Sequence, residues 1–188
     1  MGIEVANSLA ALGAQVQLVL GPSSIEVSHS NIEVTKVTTS EQMLSACLKY
    51  FSSSFITVMA AAVADFKPTI VADKKIKKSG KLSTLELEPT SDILAILGKT
   101  KRDNQFLIGF ALETNQEVAH AREKLIAKNL DMIVLNSLND TGAGFGYSTN
   151  KITLLKPAGE ILSFPLKSKK EVAMDIVNAI LSLKSQPK

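Results

Sequence analysis

Short apolar runs of strand length alternate with amphipathic helical stretches along this chain, and that alternation points to a parallel sheet wrapped by helices. Val16 to Leu20, Ile32 to Val37, Phe55 to Ala60, Phe106 to Ala111 and Asp131 to Asn136 read as strands. The first of these is nearly unbroken and stops at Gly21-Pro22, as a parallel strand covered on both faces should. Between them, Glu4 to Leu12 reads as a helix closed by Gly13, with Ile3, Ala6, Leu9 and Ala10 inward. Thr39 with Gln42 makes a capping box for a helix through Phe51, Asp92–Leu97 is a small helix, and Asn115 begins a helix to Lys128. The ending differs: Ile152 to Leu155 and Ile161 to Phe164 flank Pro157-Ala158-Gly159 as an antiparallel hairpin. Ser168 and Glu171 then cap a last helix whose Val172, Ile176, Ile180 and Leu183 face the core.

The expected fold class is therefore α/β, a Rossmann-like doubly wound, mainly parallel sheet with a C-terminal antiparallel hairpin. At 188 residues and 45% hydrophobic content, a single domain over 1–188 is expected, with a lysine-rich flap at about 66–88. No apolar run approaches bilayer length, no signal-type segment is visible, and the single cysteine, Cys47, fits a reducing cytoplasm. Cys47 falls on one helical stripe with Met43, Leu44, Leu48 and Phe51, so it reads as a buried thiol rather than a nucleophile. A net charge of +3 is too slight for nucleic acid, and the lysines around 74–81 have no interleaved aromatics for base stacking. The basic character is local, which favours a small anionic ligand. One oddity stands out. The chain opens on a helix, whereas in a doubly wound sheet the first helix follows a first strand. Either the sheet lacks its central strand or the chain is a truncated form of a longer protein.

In open parallel sheets, ligands sit beyond the carboxyl ends of the strands. One such end carries Ala60-Ala61-Ala62-Val63-Ala64-Asp65, then Lys75-Ile76-Lys77-Lys78. Small residues admit a ligand backbone-close, an aspartate suits a hydroxyl or Mg²⁺, and lysines suit phosphate charge. By itself this could equally be a strand end and a solvated lysine loop. A second end holds Gly109-Phe110-Ala111-Leu112-Glu113-Thr114-Asn115, where Gly109 permits close approach and Phe110 offers a flat face to a base. A third holds Asn136 and Asn139-Asp140, residues that also suit a plain turn. Lys124 and Lys128 lie four apart on one helix face, at a cost of about 0.3 kcal/mol unless an anion or carboxylate such as Glu123 intervenes. Gly142, Gly144 and Gly146 do not open a helix, so they read as a flap rather than a dinucleotide fingerprint. His29 and His120 show no metal or triad spacing and receive no role.

Taken in order, Ala61-Ala62-Val63-Ala64-Asp65, Lys75-Ile76-Lys77-Lys78, Ser91-Asp92-Ile93-Leu94, Gly109 to Asn115 and Lys124 through Lys128-Asn129-Leu130-Asp131 resemble the phosphopantothenate–cysteine ligase family. The similarity runs through Asn150-Lys151, over nearly the whole chain. The resemblance implies a Rossmann-like, usually dimeric ligase of coenzyme A biosynthesis. In its bacterial type CTP activates 4′-phosphopantothenate as an acyl-cytidylate, and the amine of L-cysteine then displaces CMP. By position, Met59, Ala60, Ala61, Asp65, Lys75, Ser91, Asp92, Ile93, Leu94, Phe110, Lys124 and Lys128 would contact the nucleotide. Asp65 would hold ribose or Mg²⁺ and Lys75 would neutralise the triphosphate, these two being the expected catalytic residues. Proline stands in the family where this chain has Ser91. Family members also carry, ahead of the Met-Gly matching Met1-Gly2, a strand, a Gly-Pro-Thr turn and a Ser-Asn-His segment with phosphate contacts. The expectation is an N-terminally truncated ligase that cannot complete turnover efficiently. The alternative is a nucleotide-binding, catalytically incomplete partner subunit. A dehydrogenase is a poorer third reading, because no glycine fingerprint or ribose-binding acid is correctly placed.

Overall fold

A computed structural model describes residues 1–75, 84–113, 115–137, 142 and 146–184. Helix α1 (Gly2–Ala11) ends where Gly13, at φ +89°, turns the chain left-handed. The amides of Gly13 and Ala14 then reach back to the carbonyls of Ala10 and Leu9, the paired closure that a left-handed glycine allows. Strands β1 (Val16–Leu20) and β2 (Ile32–Lys36) follow and pair in parallel. Helix α2 (Ser40–Phe51) starts on the expected capping box, with the Thr39 hydroxyl accepting from the Gln42 amide and the Gln42 side chain accepting from the Thr39 amide. Strand β3 (Ile56–Met59) leads into a short antiparallel hairpin, β4 (Phe66–Pro68) with β5 (Leu87–Pro89). Helix α3 (Ile93–Thr100), strand β6 (Phe106–Glu113), helix α4 (Glu117–Ala127) and strand β7 (Met132–Ser137) continue the alternation. The end of the chain holds β8 (Thr149–Asn150), the β9 (Thr153–Leu155) and β10 (Ile161–Ser163) hairpin, β11 (Lys167–Ser168) and α5 (Lys169–Lys184).

The main sheet has the order β10-β9-β7-β6-β3, with β3, β6 and β7 parallel, β9 antiparallel to β7, and β10 antiparallel to β9. Its two faces bury different helices, because side chains alternate along each strand. Leu107, Ala111, Ile133 and Leu135 meet α2, α3 and α4 through Phe51, Leu97 and Leu125. Phe106, Ile108, Met132 and Val134 meet α1 and α5 through Val5, Val172 and Ile176. Ser168 and Glu171 exchange hydrogen bonds at the start of α5, and Val172, Ile176 and Ile180 are buried as the helical spacing predicts.

The strands β1 and β2 form a separate two-stranded sheet, and among the described residues nothing pairs the facing edges of β1 and β3. That gap explains several departures from the sequence reading. Most of β1 is only half-buried, not covered on both faces as expected. Ile3 and Leu9 of α1, expected inward, are likewise half-buried and line the gap, while Val5 and Ser8 are buried beside Ala6 and Ala10. On α2 the buried positions are Met43, Ala46 and Phe51. Leu48 is exposed and Cys47 is half-buried, so the expected fully buried stripe is rotated by one residue.

Candidate functional site

Along the carboxyl ends of the strands, the chain places the Ala60 to Asp65 turn, the base of the β4–β5 hairpin, the start of α3 and one face of α4. Met59, the last residue of β3, lies across from Gly109, while β6 and β7 run on together to Glu113 and Ser137, four residues beyond it. The hairpin's last rung ties the turn to α3: the Thr90 amide donates to the Asp65 carbonyl at 2.9 Å, and the Thr90 hydroxyl to that of Ala64 at 2.6 Å. Asp92, two residues on, caps α3 by accepting the Ala95 amide at 2.9 Å, as aspartate at this position should. Ile93 is buried and Leu94 packs onto the core, so this segment offers a ligand backbone groups rather than side chains.

Two lysines of α4 meet two carboxylates at this end. Lys128 Nζ lies 2.8 Å from Asp92 Oδ2, and Lys124 pairs with Glu113 at the end of β6. His120 joins the second pair, its Nδ1 lying 3.7 Å from Glu113 Oε2. The like charges on α4 are thus relieved by carboxylates, as the sequence reading allowed, but these are Asp92 and Glu113 of other elements. His120, given no role from sequence, stands beside them. No local spacing could have shown this, since Glu113 and Asp92 reach α4 through tertiary packing. Partial burial pushes the Asp92 carboxyl up. Hydrogen bonds from Lys128 and the Ala95 amide, with the charges of Lys128 and Lys124, outweigh it and hold the group below its ordinary value.

The remaining expected residues divide. Asp65 is exposed on the rim of a cleft of about 780 Å³ bounded by Gly21-Pro22, Thr38–Glu41, Ala61–Ala64 and Lys67. Lys75 is exposed at the edge of the described hairpin. Ile76, Lys77 and Lys78, together with Thr114, Asn139, Asp140 and Gly144, lie outside the described residues. Phe110 is half-buried, but its ring packs on the α1–α5 face of the sheet, opposite the face that carries α3, Lys124 and Lys128. Gly109 also acts differently from expectation. A Cβ there would come within 2.8 Å of Leu94 Cδ2 and 2.9 Å of Leu130 Cδ1, so its bareness seats α3 on the sheet rather than admitting a ligand. Asn136 closes onto the buried Asn150, accepting from its Nδ2 at 2.8 Å. Among the described residues no cluster of His, Cys, Asp and Glu could hold a metal ion by itself. A single exposed carboxylate still suits Mg²⁺, which is usually held by one or two carboxylates together with substrate phosphates.

One group escaped the sequence reading altogether. Lys67 of β4 is held between Glu41 of α2 and Glu88 of β5, fastening the hairpin to the helix. Its hydrogen bond holds the Glu41 carboxyl at about 2. A depressed folded-state value means stability that is present above the ordinary glutamate range and lost as the pH falls toward 2. Glu41→Gln should remove that acid dependence and speed hydrogen exchange at the Thr69 and Thr90 amides, which bond across the hairpin. Unchanged exchange rates at neutral pH would show that the clamp does not hold the hairpin.

The comparisons with known proteins agree with this architecture. Residues 1–183 match the family described as the DNA/pantothenate metabolism flavoprotein C-terminal domain, and the chain belongs to that family. It is 50% identical over 183 residues to a cysteine/cysteine sulfinic acid decarboxylase from an unknown prokaryotic organism, covering 97% of this chain and 51% of that protein. It is 41% identical over 186 residues to the coenzyme A biosynthesis bifunctional protein CoaBC of Bacillus subtilis (strain 168), covering 99% of this chain and 46% of that protein. The crystal structure of the C-terminal domain of a CoaBC protein superposes with a TM-score of 0.80 at 34% identity, covering 98% of this chain and 82% of that one. The chain spans about half the length of these curated relatives.

Proposed function

We propose that this chain is a nucleotide-dependent ligase domain that joins 4′-phosphopantothenate to L-cysteine in coenzyme A biosynthesis, using CTP and Mg²⁺. The observation that carries the reading is the pair of lysine–carboxylate contacts, Lys128 with Asp92 and Lys124 with Glu113, at the carboxyl ends of the sheet beside the start of α3. A polyphosphate entering there meets two ammonium groups and the positive end of a helix. The domain-level likeness to the CoaBC C-terminal structure supports the ligase over the decarboxylase named for the other relative, because that comparison covers the same domain rather than half of a longer chain. In this reading the substrate carboxylate attacks the α-phosphorus of CTP and pyrophosphate leaves. The cysteine amine then attacks the acyl carbon, forming the amide as CMP leaves. Lys124 and Lys128 offset phosphate charge, backbone groups of Ala60–Ala61 and Ser91–Leu94 read the base edge, and Asp65 is the ligand for Mg²⁺ or ribose. Mg²⁺ would supply charge neutralisation of the phosphates. Catalysis is then mostly positioning and charge stabilisation.

A homodimer belongs to the same proposal. Phe66, Ile70, Val71, Leu85 and Leu87 leave large apolar side chains of the described hairpin exposed, which a second copy would cover. So does a cytoplasmic location; among the described residues no helix is long and apolar enough to cross a membrane. Calorimetric titration of CTP in Mg²⁺ tests the site. Asp65→Asn and Lys75→Ala should each cost about 1.5–3 kcal/mol, roughly ten- to a hundred-fold in affinity, with the fold intact. CTP should bind more tightly than ATP, since a site that hydrogen-bonds one base edge leaves buried polar groups unpaired with the wrong base. Equal affinity of both variants and wild type would remove these residues from the site, and tighter ATP binding would reassign the nucleotide.

A further inference from the structure

Along α4, Glu117, His120, Lys124 and Lys128 recur at three- and four-residue spacing, so they leave the helix on one side. Glu117 accepts the Ser137 hydroxyl at 2.5 Å, Lys124 pairs with Glu113, and Lys128 pairs with Asp92. His120 stands apart. Its Nδ1 lies 3.7 Å from Glu113 Oε2, just outside hydrogen-bonding reach, while Lys124 holds Oε1 of the same carboxylate. One carboxylate thus sits between an ammonium group that it already neutralises and an imidazole, the side chain type that gains charge between about pH 5 and 8. The Glu113 side chain is 15% exposed, against 43% for His120 and 45% for Lys124, so Glu113 is the fixed member and the two helix side chains can move. The other charged groups around His120 leave this arrangement alone. On α4, Glu117 is engaged by Ser137, Glu123 one turn on is exposed, and Arg122 leaves the helix on another side. Strands β7 and β9 carry no titratable residue, and Asp92 at the start of α3 is held by Lys128.

We propose that His120 is a positioning residue for anion binding: when protonated it takes over Glu113 and releases Lys124 to the phosphates of the ligand. This rests on the proposed ligase function, in which Lys124 offsets phosphate charge. With His120 neutral, Glu113 and Lys124 cancel, and the ammonium group is tied down. With His120 protonated, the three groups carry one net positive charge, and two cations share a single carboxylate. The imidazolium needs only a small movement to close on Oε2, whereas the ammonium group swings on a flexible four-carbon stem, so Lys124 is the one to leave. The sign follows. The released state holds one more proton and attracts an anion better, so affinity rises as the pH falls through the histidine range, and anion binding takes up a proton in return. The phosphates of the nucleotide work the other way, because acid removes their charge; the contribution of His120 is therefore the difference between wild type and His120→Gln. Both helix side chains are nearly half exposed, which screens the pairs and limits that contribution to about two- to five-fold in affinity.

Two measurements test this, the first without any nucleotide. The chain has two histidines, so the ring signal of His120 in a proton spectrum is the one that disappears in His120→Gln. Dimethylation of the lysines with ¹³C keeps their charge, and the Lys124 signal is identified by its loss in Lys124→Arg. In the ligand-free protein the Lys124 methyl signal should shift with the His120 titration, and that shift should be absent in His120→Gln. A Lys124 signal that ignores His120 overturns the proposal. The second measurement is calorimetry of CTP with Mg²⁺ at pH 6 and pH 8. On going from pH 8 to pH 6, wild type should gain roughly two- to five-fold in affinity over His120→Gln. The same comparison made in the Glu113→Gln background should show no gain, since Lys124 is then free at both pH values. Titration at pH 7 in two buffers of different ionisation enthalpy should show more proton uptake by wild type than by His120→Gln. Equal pH slopes for wild type and His120→Gln, even with a lowered melting temperature, overturn the proposal and leave the nucleotide site standing. A loss in His120→Gln that persists undiminished in the Glu113→Gln background also overturns it, because His120 would then touch the ligand directly. Absence of CTP binding by wild type would sink the nucleotide site and the proposal together.

Discussion

Gly98→Ala will destabilise the protein by about 2–4 kcal/mol, although alanine is the better helix former by roughly 1 kcal/mol. Gly98 is buried on α3, and a Cβ added there would fall 1.9 Å from the carbonyl oxygen of Lys128 and 2.8 Å from its carbonyl carbon. Both partners are backbone, so no side chain can move aside; the helix and the end of α4 must separate. The junction is held from the other direction too, since Asn129, at φ 52°, donates from Nδ2 to the Gly98 carbonyl at 3.0 Å. Separation would draw Asp92 away from Lys128, so nucleotide affinity should fall together with stability. Thermal unfolding should shift down by roughly 5–15 °C for a chain of this size. Gly109→Ala is the graded comparison. Its close contacts are the tips of Leu94 and Leu130, which can turn, and the loss should be about 1–2 kcal/mol. A melting temperature for Gly98→Ala at or above wild type would show that α3 does not depend on this contact.

Much of the fold was legible in the sequence because its signals are local. Thr39 with Gln42, Ser168 with Glu171, and Gly13 after α1 each act within a few residues, and each forms as read. The alternation of strand and helix fixed the class, and the helix without a preceding strand anticipated the open place between β1 and β3. What was not legible depends on which face of the sheet a residue meets. Phe110 and Gly109 are adjacent in sequence yet serve opposite faces, one against the α1–α5 layer and the other beneath Leu94. The partners of Lys124, Lys128 and Lys67 come from other elements, and no periodicity links Glu113, Asp92 or Glu41 to them. The motifs were therefore readable as residue types in order, while the ion pairs that join them to other elements were not.

In the proposed nucleotide site those ion pairs set the second large expected effect, on CTP binding. Lys128→Ala should weaken CTP by about 1.5–3 kcal/mol, the range for a hydrogen bond to a charged group. Asp92→Asn should act in the opposite direction. Asparagine caps a helix as well as aspartate does, so the Ala95 amide keeps its acceptor and α3 keeps its start. The substitution frees Lys128 and removes a negative charge from the phosphate side. Because the Asp92 side chain is 51% exposed, the pair it makes is screened and worth no more than about 1 kcal/mol, so the gain is limited to roughly two- to five-fold. The two changes should not be additive, since the residues touch. If Lys128 must leave Asp92 to reach the phosphates, Lys128→Ala will cost more in the Asp92→Asn background than in wild type, by the free energy of the broken pair. If Lys128 instead bridges both, its loss will cost more in wild type, where an uncompensated Asp92 faces the nucleotide. The first sign is expected, because in the proposed site the carboxylate and the phosphates would compete for the same ammonium group. Calorimetry of CTP in Mg²⁺ on all four proteins reads the sign directly, and weaker binding by Asp92→Asn alone would show that the carboxylate aids the nucleotide rather than competing with it.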